Sequence, residues 1–322
     1  MILAGDVGAS KILLEVGEVR SGRWQALHSR RYATAKMPSI SAVLKAFLAE
    51  WGAGAPRARR LDSAAFGVAG PALGNRVKMT HRPWTFDGDM IATRFSIPKV
   101  KVLNDLAACA HGIPWLEARE LVTIQAGKPS PADPRVVVGV GSGLGVAYLV
   151  PHENGFREVA GEGGHAGFAP ATIQQVALWH EIFTSHGRVA AEDVASGIGL
   201  THCHAFMRSQ GVHEPGTAED TPEAISAAAE QGEAHSTASL NLFLECLGNV
   251  TGDHALAVMA RGGVYLTGGV VAKIIPRIPG SPFLSAFCAK SPHDALMMKI
   301  PVRAVASERL GILGAAKLAS EL

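Results

Sequence analysis

Residues 161–168 read Gly-Glu-Gly-Gly-His-Ala-Gly-Phe, so a carboxylate, Glu162, and an imidazole, His165, stand among four glycines. Both side chains form directional hydrogen bonds, and glycine around them is costly in backbone entropy unless a ligand must come close. A second polar pair, Asn104-Asp105, ends an apolar run and opens helix-forming sequence at 106–110. At such a junction in an open α/β sheet a side chain can face a ligand. The pair can equally be a helix cap, and local sequence leaves both readings open. Three glycine turns complete the set: Gly5-Asp6-Val7-Gly8-Ala9-Ser10, Gly141-Ser142-Gly143-Leu144-Gly145 and Thr267-Gly268-Gly269. Glycine at a strand end lets backbone N–H groups approach an anion, and a hydroxyl beside it adds a donor, which suits phosphate.

Other chemistries fit poorly. Gly127-Lys128 is followed by Pro129 and has Val122 where a Walker loop needs glycine, and no G-x-G-x-x-G opens a helix. His180-Glu181 lacks a second histidine four residues on, and Ser142 lacks the glycines two residues to either side that a nucleophile elbow requires. His202-Cys203-His204 lies in helical sequence, where neighbours face different ways, so packing is the expectation rather than a metal.

The elements that must position these residues alternate. Residues 2–4 and 11–16 read as a hairpin around the first glycine turn, and 136–140 with 146–150 repeat the device around the second. Strand, glycine turn with a hydroxyl residue, and strand recur at 5–16 and 139–150, which points to a duplicated half-domain. Between them, 39–51 has helical spacing of apolar residues, and 63–68 and 100–103 read as strands. Further on, 171–247 is mainly helical with an exposed polar loop at 209–222; 253–260 reads as a helix, 263–266 as a strand and 310–322 as a closing helix.

Composition bounds the function. With 322 residues and 48% hydrophobic residues the chain is long enough for two domains or two halves of one, and disorder is not expected. Lys and Arg number 30 against 28 Asp and Glu, a net charge of +2, which offers no nucleic-acid footprint; Arg57, Arg59 and Arg60 read as a solvated surface. Four dispersed cysteines without a C-x-x-C pair suggest reduced thiols in the cytoplasm. The opening residues reach glycine and aspartate too soon for a signal peptide, and no apolar run approaches the roughly 20 residues of a membrane span.

Taken in order, the motifs resemble the bacterial glucokinase family. The likeness runs through GDVGASK at the start, FGVAGPALGNRVKMTHRPW at 66–84, VLNDLAACAHGIP at 102–114 and GVGSGLGVAYL at 139–149. It continues through GEGGHAGFAP at 161–170, AEDVASGIGL at 191–200, GGVYLTGGVV at 262–271 and GILGAA at 311–316. The resemblance implies a two-domain actin/hexokinase-like (ribonuclease H-like) α/β fold, with duplicated mixed sheets flanked by helices and a sugar cleft between domains. It implies a small domain at 1–110 plus 303–322, a large one at 111–302, and a homodimer that is neither membrane-bound nor bound to nucleic acid. By the same resemblance ATP, with Mg²⁺, phosphorylates glucose at its 6-hydroxyl, and Asp105 is the general base. Asn104, Glu162, His165 and Glu192 align with residues that hold the other hydroxyls. Gly5, Asp6, Gly8 and Ser10 match the first phosphate loop, Gly141, Ser142 and Gly143 the second, and Gly268 with Gly269 the adenosine motif; Asp6 would hold the metal through water.

The chain departs from the family pattern at a few positions. Ala9, Ser10 and Lys11 stand where the family's first loop reads Gly-Thr-Asn: serine keeps the hydroxyl, Ala9 adds a methyl where the backbone could need positive φ, and Lys11 adds a charge that could touch phosphate or, as the more expected reading, face solvent. His81 replaces the usual asparagine near the sugar, which bears on specificity. The clustered cysteines of a structural zinc site are absent. A kinase for another hexose or N-acetylhexosamine is the near alternative, and a non-catalytic sugar-binding regulator the distant one. A first strand beginning at residue 2 argues against a regulator with an N-terminal DNA-binding domain.

Overall fold

The computed structural model describes residues 1–54, 60–80, 82–153, 155–211 and 219–322. The chain divides into two compact units, Met1–Ala118 with Glu158–Ala160 and Ser307–Leu322, and Arg119–Arg157 with Gly161–Ala306.

In the first unit β1 (Ile2–Val7), β2 (Lys11–Arg20) and β3 (Arg23–Ala33) form an antiparallel meander. After α1 (Ile40–Gly54) come β4 (Ser63–Val68), a small sheet of β5 (Ala72–Leu73), β6 (Arg76–Lys78) and β7 (Thr85–Asp87), then α2 (Gly88–Phe95), β8 (Lys99–Asn104) and α3 (Asp105–Gly112). The main sheet has the order β3-β2-β1-β4-β8, with β4 parallel to both its neighbours. All six residues of β4 are buried, which requires cover on both faces. On one side α1 contributes Ile40, Val43, Leu44 and Phe47, the i, i+3, i+4, i+7 stripe of an amphipathic helix.

The second unit holds β9 (Leu121–Gln125), β10 (Arg135–Val140), β11 (Leu144–His152) and β12 (Gly155–Gly161), followed by helices α4 (Ile173–His186), α5 (Glu192–Ala195), α6 (Gly197–Ser209), α7 (Pro222–Glu230) and α8 (Ala234–Ala257). Then come β13 (Gly263–Thr267), α9 (Gly269–Ile274), α10 (Phe283–Cys288), α11 (Asp294–Met297) and β14 (Val302–Val305), before α12 (Leu310–Glu321) completes the first unit. Its sheet runs β12-β11-β10-β13-β14-β9, the order of the first sheet with one strand added at the edge. In each case the hairpin's first strand, β1 or β10, pairs antiparallel with its second across a three-residue turn, 8–10 or 141–143, and parallel with a later strand, β4 or β13. The shared topology supports the duplicated half-domain.

The structure revises several boundaries. A single helix, α8, runs through 253–257, where a separate helix was expected to extend to 260, and 258–259 form a turn after it. The expected loop at 209–222 is bounded by the last residue of α6 and the first of α7, and its residues 212–218 lie outside the described residues. So do Arg57 and Arg59, whereas Arg60 is exposed as expected. His202 bonds the Asp193 carbonyl and His204 bonds Ser239, so the two imidazoles do face different ways. The four thiols are free, and no described helix is long and apolar enough to cross a membrane.

Helix α12 is anchored at its start and pressed against α3. Arg309 donates two hydrogen bonds, of 2.9 and 3.0 Å, to buried Glu15, which also accepts from Trp24 Nε1 at 2.8 Å and Ser29 Oγ at 3.2 Å. Four donors satisfy a carboxylate that burial would otherwise disfavour. At the crossing, a Cβ on Gly314 would fall 1.7 Å from the Ala108 carbonyl oxygen. Gly314→Ala must force the helices apart and is expected to destabilise the protein by about 1–3 kcal/mol or more. An unchanged urea midpoint would contradict that packing.

Candidate active site

In the first unit the strand–turn–strand of β1 and β2 places Asp6 near the end of a buried strand. Burial raises its pKa from 3.8 to about 6, the negative charge of Asp105 adds to the rise, and Lys11 and Arg31 oppose it. Helix α12 reaches this carboxyl through Gly311, where a Cβ would lie 2.9 Å from Asp6 Cγ. The turn is closed by Gly8 N–H donating to the Lys11 carbonyl at 2.9 Å, and Thr34 bonds it from outside, Oγ1 to Gly8 O at 3.1 Å and N–H to Ser10 O at 3.0 Å. Ala9 does not require positive φ, so its methyl carries no backbone strain. Lys11 is exposed and approaches Glu308 at 3.5 Å, yet its charge reaches Asp6. Gly5 lies inside β1, and a Cβ there would meet the Phe66 ring at 2.4 Å, so packing alone explains this glycine.

Asn104 and Asp105 stand where β8 passes into α3. Asn104 is the helix cap: Oδ1 accepts from Leu106 N at 2.9 Å and Ala107 N at 3.1 Å, and Nδ2 donates to the Gly70 carbonyl at 3.1 Å. Its amide keeps one further N–H for a ligand. Asp105, the first residue of α3, accepts from Leu106 N through Oδ1 at 2.8 Å, which orients the carboxylate. The capping and ligand readings that local sequence left open are therefore compatible.

In the second unit Glu162, His165 and Glu192 form a row. His165 Nε2 lies 3.9 Å from Glu162 Oε2, and Nδ1 lies 4.0 Å from Glu192 Oε1. These separations exceed a hydrogen bond, so the groups do not consume each other's donors and acceptors. Glu162 and His165 side chains are 67% and 57% exposed, open to a ligand. Glu192 is fixed by its other oxygen, which accepts from Leu144 N at 2.8 Å. The glycines of the loop have a reason other than ligand approach: a Cβ on Gly164 would fall 1.9 Å from the Leu144 carbonyl oxygen, and one on Gly163 2.9 Å from Val146 Cβ. The loop lies flat on β11, and that contact, more than a ligand, demands glycine at these two positions.

The second glycine turn, 141–143, touches the same strand. A Cβ on Gly143 would come within 2.4 Å of Glu192 Oε2, and the Gly141 carbonyl accepts from Gly197 N–H at 2.8 Å, tying the turn to the start of α6. Gly268, with φ of 104°, starts the third turn; a Cβ would sit 2.3 Å from the Val140 carbonyl oxygen. The helix after it, α9, borders a cavity of about 310 Å³ lined by Lys273, Ile274, Arg277, Glu223 and Leu240, among others. Lys273 and Glu223 pair at 2.7 Å at its side.

The sequence reading missed Gly311, Gly70 and Thr34. Gly311 sits in GILGAA, where two glycines three apart in a closing helix signal close approach; Gly70, with φ of 152°, supplies the carbonyl that holds Asn104. Thr34 left no sequence signal, because its contact depends on β3 pairing with β2. His81 lies outside the described residues.

A family model described as Glucokinase matches residues 3–322. A glucokinase of Nostoc sp. (strain PCC 7120) is 33% identical over 344 residues, covering 100% of this chain and 99% of that protein. One of Chromobacterium violaceum is 36% identical over 325 residues, covering 99% and 90%. The crystal structure of glucokinase from an Antarctic psychrotroph matches with a TM-score of 0.88 at 27% identity, covering 100% of this chain and 99% of that one.

Proposed function

The chain belongs to the glucokinase family, and from that premise we propose how its residues transfer the γ-phosphoryl group of ATP to the 6-hydroxyl of glucose. Its two mixed sheets flanked by helices are the actin-like fold of such kinases. Asp105 takes the proton of the 6-hydroxyl as that oxygen bonds to the γ-phosphorus and the bond to the β-phosphate oxygen breaks, releasing ADP. The observation that carries this role is the oriented Asp105 carboxylate at the head of α3, close enough to Asp6 to raise its pKa. In-line positioning supplies most of the remaining catalysis, since phosphoryl transfer needs no covalent intermediate.

Glu162, His165 and Glu192 hold sugar hydroxyls, which are donors and acceptors at once and match carboxylates on either side of an imidazole. The spare N–H of Asn104 donates to another hydroxyl. Backbone N–H groups of the turns that carry Gly8 and Ser10, and Gly141, Ser142 and Gly143, face the phosphates, apart from those of Gly8 and Gly141, which close the turns themselves, and Gly5 holds β1 in place behind the first turn. Gly268 and Gly269 introduce α9, whose neighbouring cavity suits an adenosine.

Mg²⁺ fits the first unit. Two carboxylates, Asp6 and Asp105, repel each other in a buried setting, and Asp6 holds its proton up to about pH 6, which a divalent cation at Asp6 would relieve. Hard oxygen donors are what Mg²⁺ takes, usually one or two carboxylates with waters and phosphate oxygens, so Asp6 would hold it through water. When bound, the ion neutralises charge on the transferring phosphates. Four free thiols support a reducing, cytoplasmic setting, and homodimerisation follows the family likeness.

Glu162→Gln tests the sugar row. It removes a charge-assisted acceptor and is expected to weaken glucose binding about 10-fold, read by calorimetry, with little change in ATP binding. An unchanged glucose Kd would place the sugar elsewhere.

A further inference from the structure

Behind the exposed Glu162–His165 loop lies a relay with no place in the mechanism above. Tyr148 of β11 and His254 of α8 meet with Oη 2.8 Å from Nδ1, their rings 6.1 Å apart and tilted by 58°. His254 also lies against the backbone of Gly163, whose effect is to oppose the fall in the imidazole's pKa. Gly163 lies so close that a Cβ there would sit 3.0 Å from His254 Cε1. On its other side the loop is fixed to β11 through the bridge between Val146 and Glu162.

Protonation follows from these partners. Burial lowers the His254 pKa, against the smaller opposing effects of Asp253 and the Gly163 backbone, so the imidazole is neutral near pH 7. Burial raises the Tyr148 pKa, so its hydroxyl keeps its proton. A neutral imidazole has one N–H and one lone pair. With the Tyr148 hydroxyl as the donor to Nδ1, the proton sits on Nε2, where it can serve the Gly163 backbone that the ring lies against. The tyrosine thus selects the tautomer that holds the loop.

We propose that Tyr148 and His254 are positioning residues that set the Gly163 backbone, and through it the approach of Glu162 and His165 to the sugar. The inference rests on the reading that Glu162 and His165 bind sugar. It follows because Gly163 is joined directly to Glu162 and opens the short 3₁₀ turn that ends at His165. A rotation of that one peptide turns both side chains. Neither Tyr148 nor His254 needs to touch substrate.

The test is Tyr148→Phe, which removes one hydroxyl and keeps the ring, measured beside Glu162→Gln. Without the hydroxyl, His254 is free to place its proton on Nδ1 and loosen its hold on the Gly163 backbone, whose carbonyl then keeps only the Ala166 N–H at 3.1 Å. Glucose Kd is expected to rise about 5- to 30-fold, the worth of one well-placed hydrogen bond, with kcat and the KM for ATP within about 2-fold of wild type. Nitrogen-15 NMR should show the His254 Nε2–H form in wild type and an Nδ1–H population in Tyr148→Phe. His254→Gln, which retains an N–H near the Nε2 position, should bind glucose better than His254→Leu.

Unchanged glucose Kd in Tyr148→Phe, with Glu162→Gln weakened as expected, would overturn the positioning role and leave the sugar row standing. Unchanged Kd in Glu162→Gln would overturn the sugar row and this inference with it. A parallel loss of glucose and ATP binding in Tyr148→Phe would mark general damage to the fold and also overturn the inference.

Discussion

Replacing Asp105 with asparagine is expected to lower kcat by about 10² to 10⁴ while glucose still binds. Asparagine keeps an oxygen for the Leu106 N–H now bonded at 2.8 Å, so the head of α3 should stay folded. It cannot accept the proton of an attacking hydroxyl. The effect should therefore appear in kcat and in kcat/KM alike, with glucose Kd by calorimetry close to wild type. Wild-type turnover would remove Asp105 from the base role. A glucose Kd that collapsed together with kcat would point to a disrupted site rather than a missing base.

Asp6→Asn is expected to move stability and activity in opposite directions. The folded-state pKa of Asp6 is raised, from 3.8 to about 6, so the folded protein binds its proton more tightly than the unfolded chain. The carboxyl therefore costs nothing below pH 3.8, its cost grows as pH rises, and above pH 6 the full cost applies. That cost is on the order of 3 kcal/mol for a shift of about two pK units. Asparagine removes it, so the variant should be more stable than wild type by about 1–3 kcal/mol at pH 8, with the gain fading towards pH 4. Activity should fall by about 10²-fold or more, since the acceptor for Mg²⁺-bound water is lost. Urea titrations at the two pH values, beside turnover at saturating Mg-ATP, check both arms. A variant no more stable than wild type at pH 8, or one fully active, would contradict the account of Asp6.

Much of this was legible in the sequence because it is local. Two strand–glycine–strand hairpins announced the two large sheets, and Asn104-Asp105 marked the passage from β8 to α3. Glu162 and His165 stood out because their glycines did. The rest depends on partners distant in the chain. Strand β3 was not foreseen because most of its residues are exposed and no apolar alternation marks a core face; it is defined by pairing with β2. Strand β14 has only four residues, and the small β5–β6–β7 sheet has strands of two and three. The purpose of Gly163 and Gly164 was misread for the same reason: entropy arguments show that something comes close, and only the fold shows that it is β11. Tyr148 and His254, 106 residues apart, gave no local sign of meeting.

The most direct test of the central claim is glucose-dependent ADP release by the purified protein with Mg-ATP, run against mannose, fructose, N-acetylglucosamine and N-acetylmannosamine, with the sugar phosphate identified. The account predicts release with glucose far above the sugar-free control and glucose 6-phosphate as product. Release with another sugar alone would contradict the assignment of glucose, and no release with any sugar that binds would contradict the assignment of Asp105 as a working base.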